Sequence, residues 1–176
     1  ELITYANYAK QVRVSADTIQ TWIEALESFY YCFRIAPWST NIARSLAKQP
    51  KVYLWDWASI DDKGARNENL VASHLLKAIN FWEDRGMGKY GLYFIRDKEK
   101  REVDFIVTKN NIPWFLVEVK SSSNHSISKD LHYFQQLTKA KHAFQVVIDL
   151  PYQQIDCFTF TTPVIVPALT FLSQLV

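Results

Sequence analysis

The chain has 176 residues, of which 48% are apolar, 15% aromatic and 22% charged, and this balance excludes intrinsic disorder. Its net charge of +2 does not by itself indicate a nucleic-acid-binding protein. The apolar runs are shorter than the roughly 18–20 residues that cross a bilayer, so no membrane association is expected. Cys32 and Cys157 lie beside aromatic residues, which indicates buried thiols in a reducing, cytoplasmic compartment.

The first fifty residues are predicted to form a winged-helix-like helical segment. Thr4 to Val12 indicate a short helix, and Ser15 is a typical N-cap for a longer one. A strand from Phe29 to Ile35 and the basic stretch after it would then form the wing. Apolar residues in the second helix recur at helical spacing and predict one buried face, formed by Ile19, Trp22, Ile23, Leu26 and Phe29.

Two uses of this segment stay open, DNA binding through the second helix and packing or protein contact. The outward residues of that helix carry no positive charge; they are Asp17, Gln20, Thr21, Glu24 and Glu27. An acidic surface meets phosphates unfavourably, which favours packing or protein contact. Arg44 and Lys48, together with Lys51, would still contact a nucleic-acid backbone from the side of the wing.

From Lys51 onward, strands and helices alternate, which predicts a mixed α/β domain over residues 51–176 that follows the helical segment at 1–50. Phe158 to Thr161 and a last helix near Leu169 to Leu175 complete this domain. The elements before them are a strand at 52–57, a helix at 64–82, a hairpin of 92–96 and 103–107, a strand at 114–120, a helix at 129–143 and a strand at 144–149.

The strand at 114–120 places two charged side chains on one face. Side chains alternate along a strand, so Glu118 and Lys120 lie together, opposite an apolar face made by Phe115, Val117 and Val119. Charges at the end of an apolar strand are costly to bury unless they are paired or bound. The segment therefore indicates a functional site.

A second carboxylate is predicted to lie near Glu118. On the preceding strand, Asp104 is expected opposite an apolar face made by Val103, Phe105 and Val107. If the two strands pair, Asp104 approaches Glu118, and two carboxylates at one point repel unless a cation joins them. Oxygen ligands of this kind favour Mg²⁺ or Mn²⁺.

Glu68 supplies a third acid on the predicted helix at 64–82. It falls in the middle of an apolar stripe formed by Val71, Ala72, Leu75, Ala78, Ile79 and Trp82. Carboxylates also favour the first turn of a helix, which explains a lone Glu at this place. Its combination with Asp104, Glu118 and Lys120 favours the functional interpretation.

These residues resemble the PD-(D/E)XK nuclease superfamily in their order along the chain. More narrowly, the chain resembles the C-terminal domain of unknown function attached to bacterial and archaeal AAA-superfamily ATPases, with matching stretches at 51–56, 64–71, 101–107 and 117–122. The resemblance implies a restriction-endonuclease-like fold and metal-dependent hydrolysis of phosphodiesters in DNA or RNA. It also implies that this chain is the C-terminal piece of a longer protein whose ATPase domain lies upstream.

The resemblance further assigns roles to single residues. Asp104, Glu118 and the backbone carbonyl of Val119 would hold Mg²⁺ or Mn²⁺, and Glu68 would complete the metal shell. Lys120 would position the attacking water and stabilise charge on the phosphate. The hairpin turn carries three further candidates for guiding a nucleic-acid backbone, Arg96, Lys98 and Arg101, although a solvated tip explains the same charges.

Two other functions stay open beside the nuclease. The chain could be a catalytically silent nuclease-fold module that binds nucleic acid or protein and regulates the attached ATPase. It could also be a structural domain that docks the ATPase through its Trp and Tyr side chains.

Overall fold

Seven β-strands of the described residues form one mixed sheet. The computed structural model describes residues 5–39, 49–123 and 126–176. The strands are β1 Cys32–Pro37, β2 Lys51–Leu54, β3 Tyr90–Arg96, β4 Glu102–Lys109, β5 Ile112–Lys120, β6 His142–Val147 and β7 Val164–Pro167. The helices are α1 Tyr5–Val12, α2 Ala16–Ser28, α3 Lys63–Asp84, α4 Lys129–Thr138 and α5 Ala168–Leu172. The predicted mixed α/β class is confirmed.

The strand order is β2-β1-β3-β4-β5-β6-β7, and neighbouring strands pair in both antiparallel and parallel directions. The pairs β1–β2, β3–β4 and β4–β5 are antiparallel, whereas β1–β3, β5–β6 and β6–β7 are parallel. Every residue of β6 is buried, as expected for a parallel strand covered on both faces. The strand β5 therefore has an antiparallel neighbour on one side and a parallel neighbour on the other.

Helix α3 covers one face of the sheet. Asp62 caps it by accepting a hydrogen bond from the Ala65 backbone N–H at 2.7 Å. Its apolar stripe is buried as predicted, at Val71, Ala72, Leu75, Ala78, Ile79 and Trp82. These side chains pack with Phe115, Val117 and Phe144 of the sheet in one core cluster. The periodicity of the sequence thus identified the residues that fix α3 to the sheet.

Helix α4 packs on the opposite face and is shorter than predicted. Leu131 and Phe134 of α4 contact the face of the sheet that carries Leu116. The predicted helix at 129–143 ends at Thr138, because Lys139 adopts a left-handed backbone with φ 57° and terminates it. The residues from 142 onward belong to β6 instead.

The predicted buried face of α2 is wrong for three of its five residues. Ile19 and Ile23 are buried, but Trp22 and Leu26 are partly exposed and Phe29 is 81% exposed. The reason is that α2 packs only on a small cluster with buried partners from α1 and the start of β1, formed by Tyr5, Ala9 and Cys32. A contact of this width covers one row of side chains and leaves the next row in solvent.

The acidic outer surface of α2 is partly neutralised by β1. Arg34 contacts Glu27 at 2.7 Å and Glu24 at 3.5 Å. Arg44 and Lys48, the predicted wing contacts to nucleic acid, lie outside the described residues. The domain boundary between residues 50 and 51 stays a prediction, and β1 from the first segment pairs with β3 of the second in the same sheet.

The C-terminal part differs from the predicted elements in detail. The predicted element at Phe158 to Thr161 is a 3-10 turn at Cys157–Thr159, and the strand β7 follows where none was predicted. Cys32 and Cys157 are free and buried, as predicted. None of the described helices combines the length and the apolar character that a bilayer-spanning helix needs.

Candidate functional site

The strands β4 and β5 separate at the end where the predicted acids lie. Their pairing runs up to Phe105 opposite Val117 and stops there. Beyond this point the backbone N–H of Val119 donates to Oδ2 of Asp104 at 2.8 Å. The N–H and C=O of a strand residue point to the same neighbour, so the Val119 carbonyl faces the Asp104 side too. A carboxylate thus fills the gap between the two strands.

A β-bulge directs Asp104 into this gap. The β3–β4 register shifts between Tyr93 and Ile95, so that an extra residue lies in β4. Val103 consequently packs in the α4-side core cluster, whereas Phe105 packs in the α3-side one. The prediction that Val103 and Phe105 share a face is therefore wrong, because a bulge interrupts the alternation on which it depended. Bulges commonly redirect side chains in this way next to functional sites.

Glu118 and Lys120 lie on one face of β5, as predicted. Lys120 Nζ contacts Glu118 Oε1 at 2.7 Å. Glu118 is only 8% exposed, and its second oxygen, Oε2, is buried without a hydrogen-bond partner in the described residues. A buried carboxylate oxygen without a partner is costly, which marks the position where a ligand would be stabilised.

Lys51 belongs to the acid cluster, a position that the sequence did not predict, since Lys51 was expected only as a contact to a nucleic-acid backbone. Its Nζ lies 2.6 Å from Glu102 Oε1, 3.0 Å from Glu68 Oε1 and 4.0 Å from Asp104 Oδ1. The hydroxyl of Tyr53 donates to the same Glu68 oxygen at 2.6 Å. Because Lys51 and Tyr53 are two residues apart on β2, strand alternation alone places both on one face. This spacing was the feature of the sequence from which a shared position of Lys51 and Tyr53 could have been predicted.

Burial and like charge raise the pKa values of both central acids. For Asp104, burial is the largest cause, and the negative charges of Glu68 and Glu118 add to it, so its pKa lies well above the ordinary value. Burial also raises the pKa of Glu118, although the hydrogen bond from Lys120 opposes this shift. Both carboxylates therefore stay ionised more easily when a cation lies beside them.

The two lysines of the site hold their protons more tightly than free lysine. Burial lowers the pKa of Lys51, but the charges of Glu68, Asp104 and Glu102 raise it further, and the net shift is upward. Burial likewise lowers the pKa of Lys120, and its hydrogen bond to Glu118 turns the net shift upward. Both side chains are therefore ammonium ions at neutral pH.

The raised pKa of Asp104 predicts a loss of stability with rising pH in buffer that contains EDTA. Between the ordinary Asp pKa of about 4 and the raised value, the folded chain holds a proton that the unfolded chain has lost. Stability therefore falls as pH rises through this window. Asp104→Asn removes this titration, so urea unfolding across the window should show a shallower decline for the variant. Parallel declines for the two proteins would contradict the assignment to Asp104.

Asp104 and Glu118 provide the oxygen atoms of the site that are available to a cation. Among residues 5–39, 49–123 and 126–176, no group of three or more His, Cys, Asp and Glu side chains has a geometry that could hold a metal ion. Glu68 and Glu102 are instead drawn to Lys51. The unpartnered Oε2 of Glu118 and the adjacent Asp104 form a smaller oxygen set, and the chemistry of that set suits Mg²⁺ or Mn²⁺.

The hairpin residues predicted to contact nucleic acid divide into two groups. Arg96 faces the acid cluster, 3.6 Å from Glu102 Oε2. Arg101 instead contacts Asp97 at 2.6 Å, and its guanidinium lies 3.8 Å from the ring centre of Tyr133 on α4. Lys98 is exposed at the tip of the turn. Of the three predicted residues, Arg96 is thus the one next to the acids.

A cleft of about 420 Å³ adjoins the acid cluster on the side of α3. Glu68 and Glu102 line it together with Lys51, and Arg96 and Lys100 add positive charge. Tyr8 from α1 also lines this cleft, so the helical segment at the N-terminus contributes to its wall.

Two parts of the chain match known sequence families. Residues 63–163 match the model of a domain of unknown function, DUF4143, over more than half of the chain, and the chain therefore belongs to this family. DUF4143 domains are commonly found in AAA-ATPase-associated proteins. Residues 1–59 match a second domain of unknown function, DUF8612.

Two curated proteins are similar to this chain. They are the uncharacterized protein Mb2031c of Mycobacterium bovis and the uncharacterized protein Rv2008c of Mycobacterium tuberculosis. Each is 27% identical over 146 residues, which is 74% of this chain and 31% of the relative. The matched part of the chain thus spans about a third of the length of these relatives. No solved structure matches the chain.

Proposed function

We propose that the chain is a metal-dependent nuclease module that hydrolyses phosphodiester bonds in DNA or RNA. In this proposal residues 51–176 form a PD-(D/E)XK core of the restriction-endonuclease-like kind, and residues 1–50 form a winged-helix-like segment. The order of elements supports it, because α3, β4 and β5 bring Glu68, Asp104 and Glu118 close enough for the charges of Glu68 and Glu118 to raise the pKa of Asp104.

The observation that carries the proposal is the buried, unpartnered Oε2 of Glu118. It lies beside Asp104, whose pKa is raised by burial and by the charges of Glu68 and Glu118. A cation between these carboxylates would satisfy the open oxygen and remove the repulsion at once. Asp104, Glu118 and the carbonyl of Val119 would hold it, with Glu68 at the edge of the set.

The remaining residues of the site suit phosphodiester chemistry. A bound divalent ion lowers the pKa of its water and polarises a phosphoryl oxygen. Lys120 is an ammonium ion 2.7 Å from Glu118 Oε1, where it would orient the attacking water and stabilise negative charge on the phosphate. Arg96 borders the neighbouring cleft and would bind the nucleic-acid backbone.

An upstream ATPase domain of the same protein is the proposed partner. The occurrence of DUF4143 in AAA-ATPase-associated proteins supports this, as does the greater length of the two mycobacterial relatives. In this arrangement ATP hydrolysis in the neighbouring domain would control access of nucleic acid to the acids.

Calorimetric titration of Mn²⁺ and Mg²⁺ into the wild-type chain and Asp104→Asn tests the proposal. We expect saturable binding to the wild type and at least a tenfold weaker affinity in the variant, because one carboxylate ligand is lost. The amide oxygen still accepts the Val119 hydrogen bond, so the strand gap keeps its shape. Glu99→Gln, at an acid whose side chain is 66% exposed, is the matched control and should bind as the wild type does. Equal affinity in all three proteins would contradict the proposed metal site.

A catalytically silent module is the second candidate. The observation in its favour is that Lys51 contacts Glu68 and Glu102 while Lys120 contacts Glu118, so these carboxylates have counter-ions within the chain. Metal binding without cleavage of single- or double-stranded DNA or RNA would favour this candidate, and the surface would then serve recognition and regulation of the ATPase.

A further inference from the structure

The strand β2 lies at the edge of the sheet and contributes to the wall of the cleft beside the acid cluster. In an antiparallel pair, residues alternate between those that bond to the neighbouring strand and those whose N–H and C=O point away from it. The N–H of Trp55 donates to the carbonyl of Tyr31, next to β1, at 3.1 Å. The alternation therefore directs the backbone groups of Leu54 and Val52 away from β1, toward the open edge.

The contacts of Leu54 show which chemical group this edge accepts. The side-chain amide of Asn69, on α3, donates to the Leu54 carbonyl at 2.7 Å and accepts from the Leu54 N–H at 2.8 Å. Val52 presents the same pair of backbone groups two residues earlier and lines the cleft with Asn69. Within the part of the chain that the structure describes, these groups of Val52 have no hydrogen-bond partner. The cleft thus offers one donor and one acceptor side by side.

Other residues of the cleft supply an aromatic ring and positive charge. Tyr8, on α1, is 37% exposed and lines the cleft. Exposed aromatic rings stack on nucleic-acid bases of any sequence. The charged lining residues are three cations and two carboxylates, namely Lys51, Arg96 and Lys100 with Glu68 and Glu102. Because Lys51 contacts both carboxylates, Arg96 and Lys100 are the cations of this lining that suit a phosphate.

We propose that this cleft holds one unpaired nucleotide, so that the nuclease acts on single strands or unpaired ends. The inference rests on the proposed function and names its substrate class. The Watson–Crick edge of a base carries donors and acceptors side by side, as the Asn69 amide does, and would bind the N–H and C=O of Val52. The base would stack on Tyr8, and its phosphate would contact Arg96.

Base pairing decides between single and double strands in this arrangement. A paired base already uses its Watson–Crick edge, so it has no groups left for Val52. The cleft of about 420 Å³ lies in the size range of sites that bind small molecules, which agrees with one nucleotide as its occupant. A duplex would reach only the cations at the rim.

Fluorescence anisotropy with labelled oligonucleotides tests the inference on the wild-type chain. The probes are a short single strand of mixed sequence and its duplex, each as DNA and as RNA, and a DNA strand of abasic sites with the same number of phosphates. One salt concentration is used throughout, because phosphate contacts depend on salt. EDTA prevents metal-dependent cleavage. We expect a single strand of DNA or RNA to bind at least tenfold more tightly than its duplex and than the abasic strand.

Variants of Tyr8 test the stacking contact. Tyr8→Ala should weaken single-strand binding by about fivefold or more, whereas Tyr8→Phe keeps the ring and should bind as the wild type does. Tyr152→Ala is the matched control, because Tyr152 is 55% exposed and does not line this cleft. Circular dichroism checks that each variant is folded. If Tyr8→Ala does not fold, the wild-type comparison of the probes still decides the matter.

The outcomes separate this inference from the proposed function. Equal affinities for single strand and duplex, or for the normal and abasic strands, would overturn the nucleotide site. No detectable binding of any probe would overturn it too. The nuclease proposal is judged independently, by the metal titration and by cleavage of single- and double-stranded substrates.

Discussion

Glu118→Gln is expected to lower Mg²⁺-dependent cleavage by about 10³-fold while the chain stays folded. The change removes the negative charge that would hold the ion and keeps the oxygen that accepts from Lys120. Burial raises the pKa of Glu118, so its charge is costly in the folded chain, and we expect the neutral variant to be as stable as the wild type at neutral pH. Cleavage rates and urea unfolding of the same preparations measure the two effects.

Glu99→Gln provides the control for this comparison, because its carboxylate is exposed at the hairpin tip and outside the acid cluster. It should cleave at the wild-type rate. If Glu118→Gln retains wild-type cleavage, then Glu118 does not hold the ion. If it unfolds, the Glu118–Lys120 pair is structural and the nuclease proposal loses its main support.

Phe144→Ala is expected to destabilise the chain by about 3–5 kcal/mol, a large share of the stability of a domain of this size. Phe144 is fully buried on β6. Its ring centre lies 5.0 Å from that of Phe171, 5.3 Å from Phe158 and 5.9 Å from Phe115. The truncation would leave a cavity beside β5, because Phe144 is the register partner of Val117.

Denaturant unfolding of Phe144→Ala beside Phe29→Ala measures this effect. Phe29 is 81% exposed, so the same truncation there removes little packing and should change the unfolding free energy by about 0.5 kcal/mol or less. Equal losses at the two positions would contradict the packing of the aromatic cluster around β6.

The periodic patterns of the sequence correctly predicted which side chains share a face in regular helices and strands that pack against a single core. The stripe from Val71 to Trp82 is buried because this face of α3 packs with side chains of the sheet in one core cluster. Glu118 and Lys120 share a face because β5 is regular from Phe115 to Lys120 and pairs with β6 throughout. Side-chain alternation and helical spacing are local properties, so the sequence contains them directly.

The features that the sequence did not predict depend on contacts between segments that are distant along the chain. The bulge that reorients Val103 and Asp104 arises from pairing with β3, which no local pattern encodes. Lys51 enters the acid cluster because β2 pairs at the edge of the sheet and brings its side chain toward α3 and β4. The exposure of Trp22 and Phe29 follows from the small area that α2 covers.

Strands β1 and β3 pair over a short stretch, so the contacts of the acid cluster help to attach β1 and β2 to the rest of the sheet. Among the described residues its ladder has two register pairs, Ala36 with Tyr93 and Pro37 with Phe94, and Pro37 has no backbone donor. One further hydrogen bond joins the Trp38 backbone N–H to the Phe94 carbonyl at 2.6 Å. The contacts of Lys51 with Glu68 and Glu102 cross the same boundary, from β2 to α3 and β4. If the carboxylates bind a cation as proposed, this binding and the attachment of the β1–β2 unit would share one coupling free energy. Thermodynamic reciprocity then predicts that detaching the β1–β2 unit would change the affinity for the cation by the same factor as the cation would change the free energy of detaching the unit.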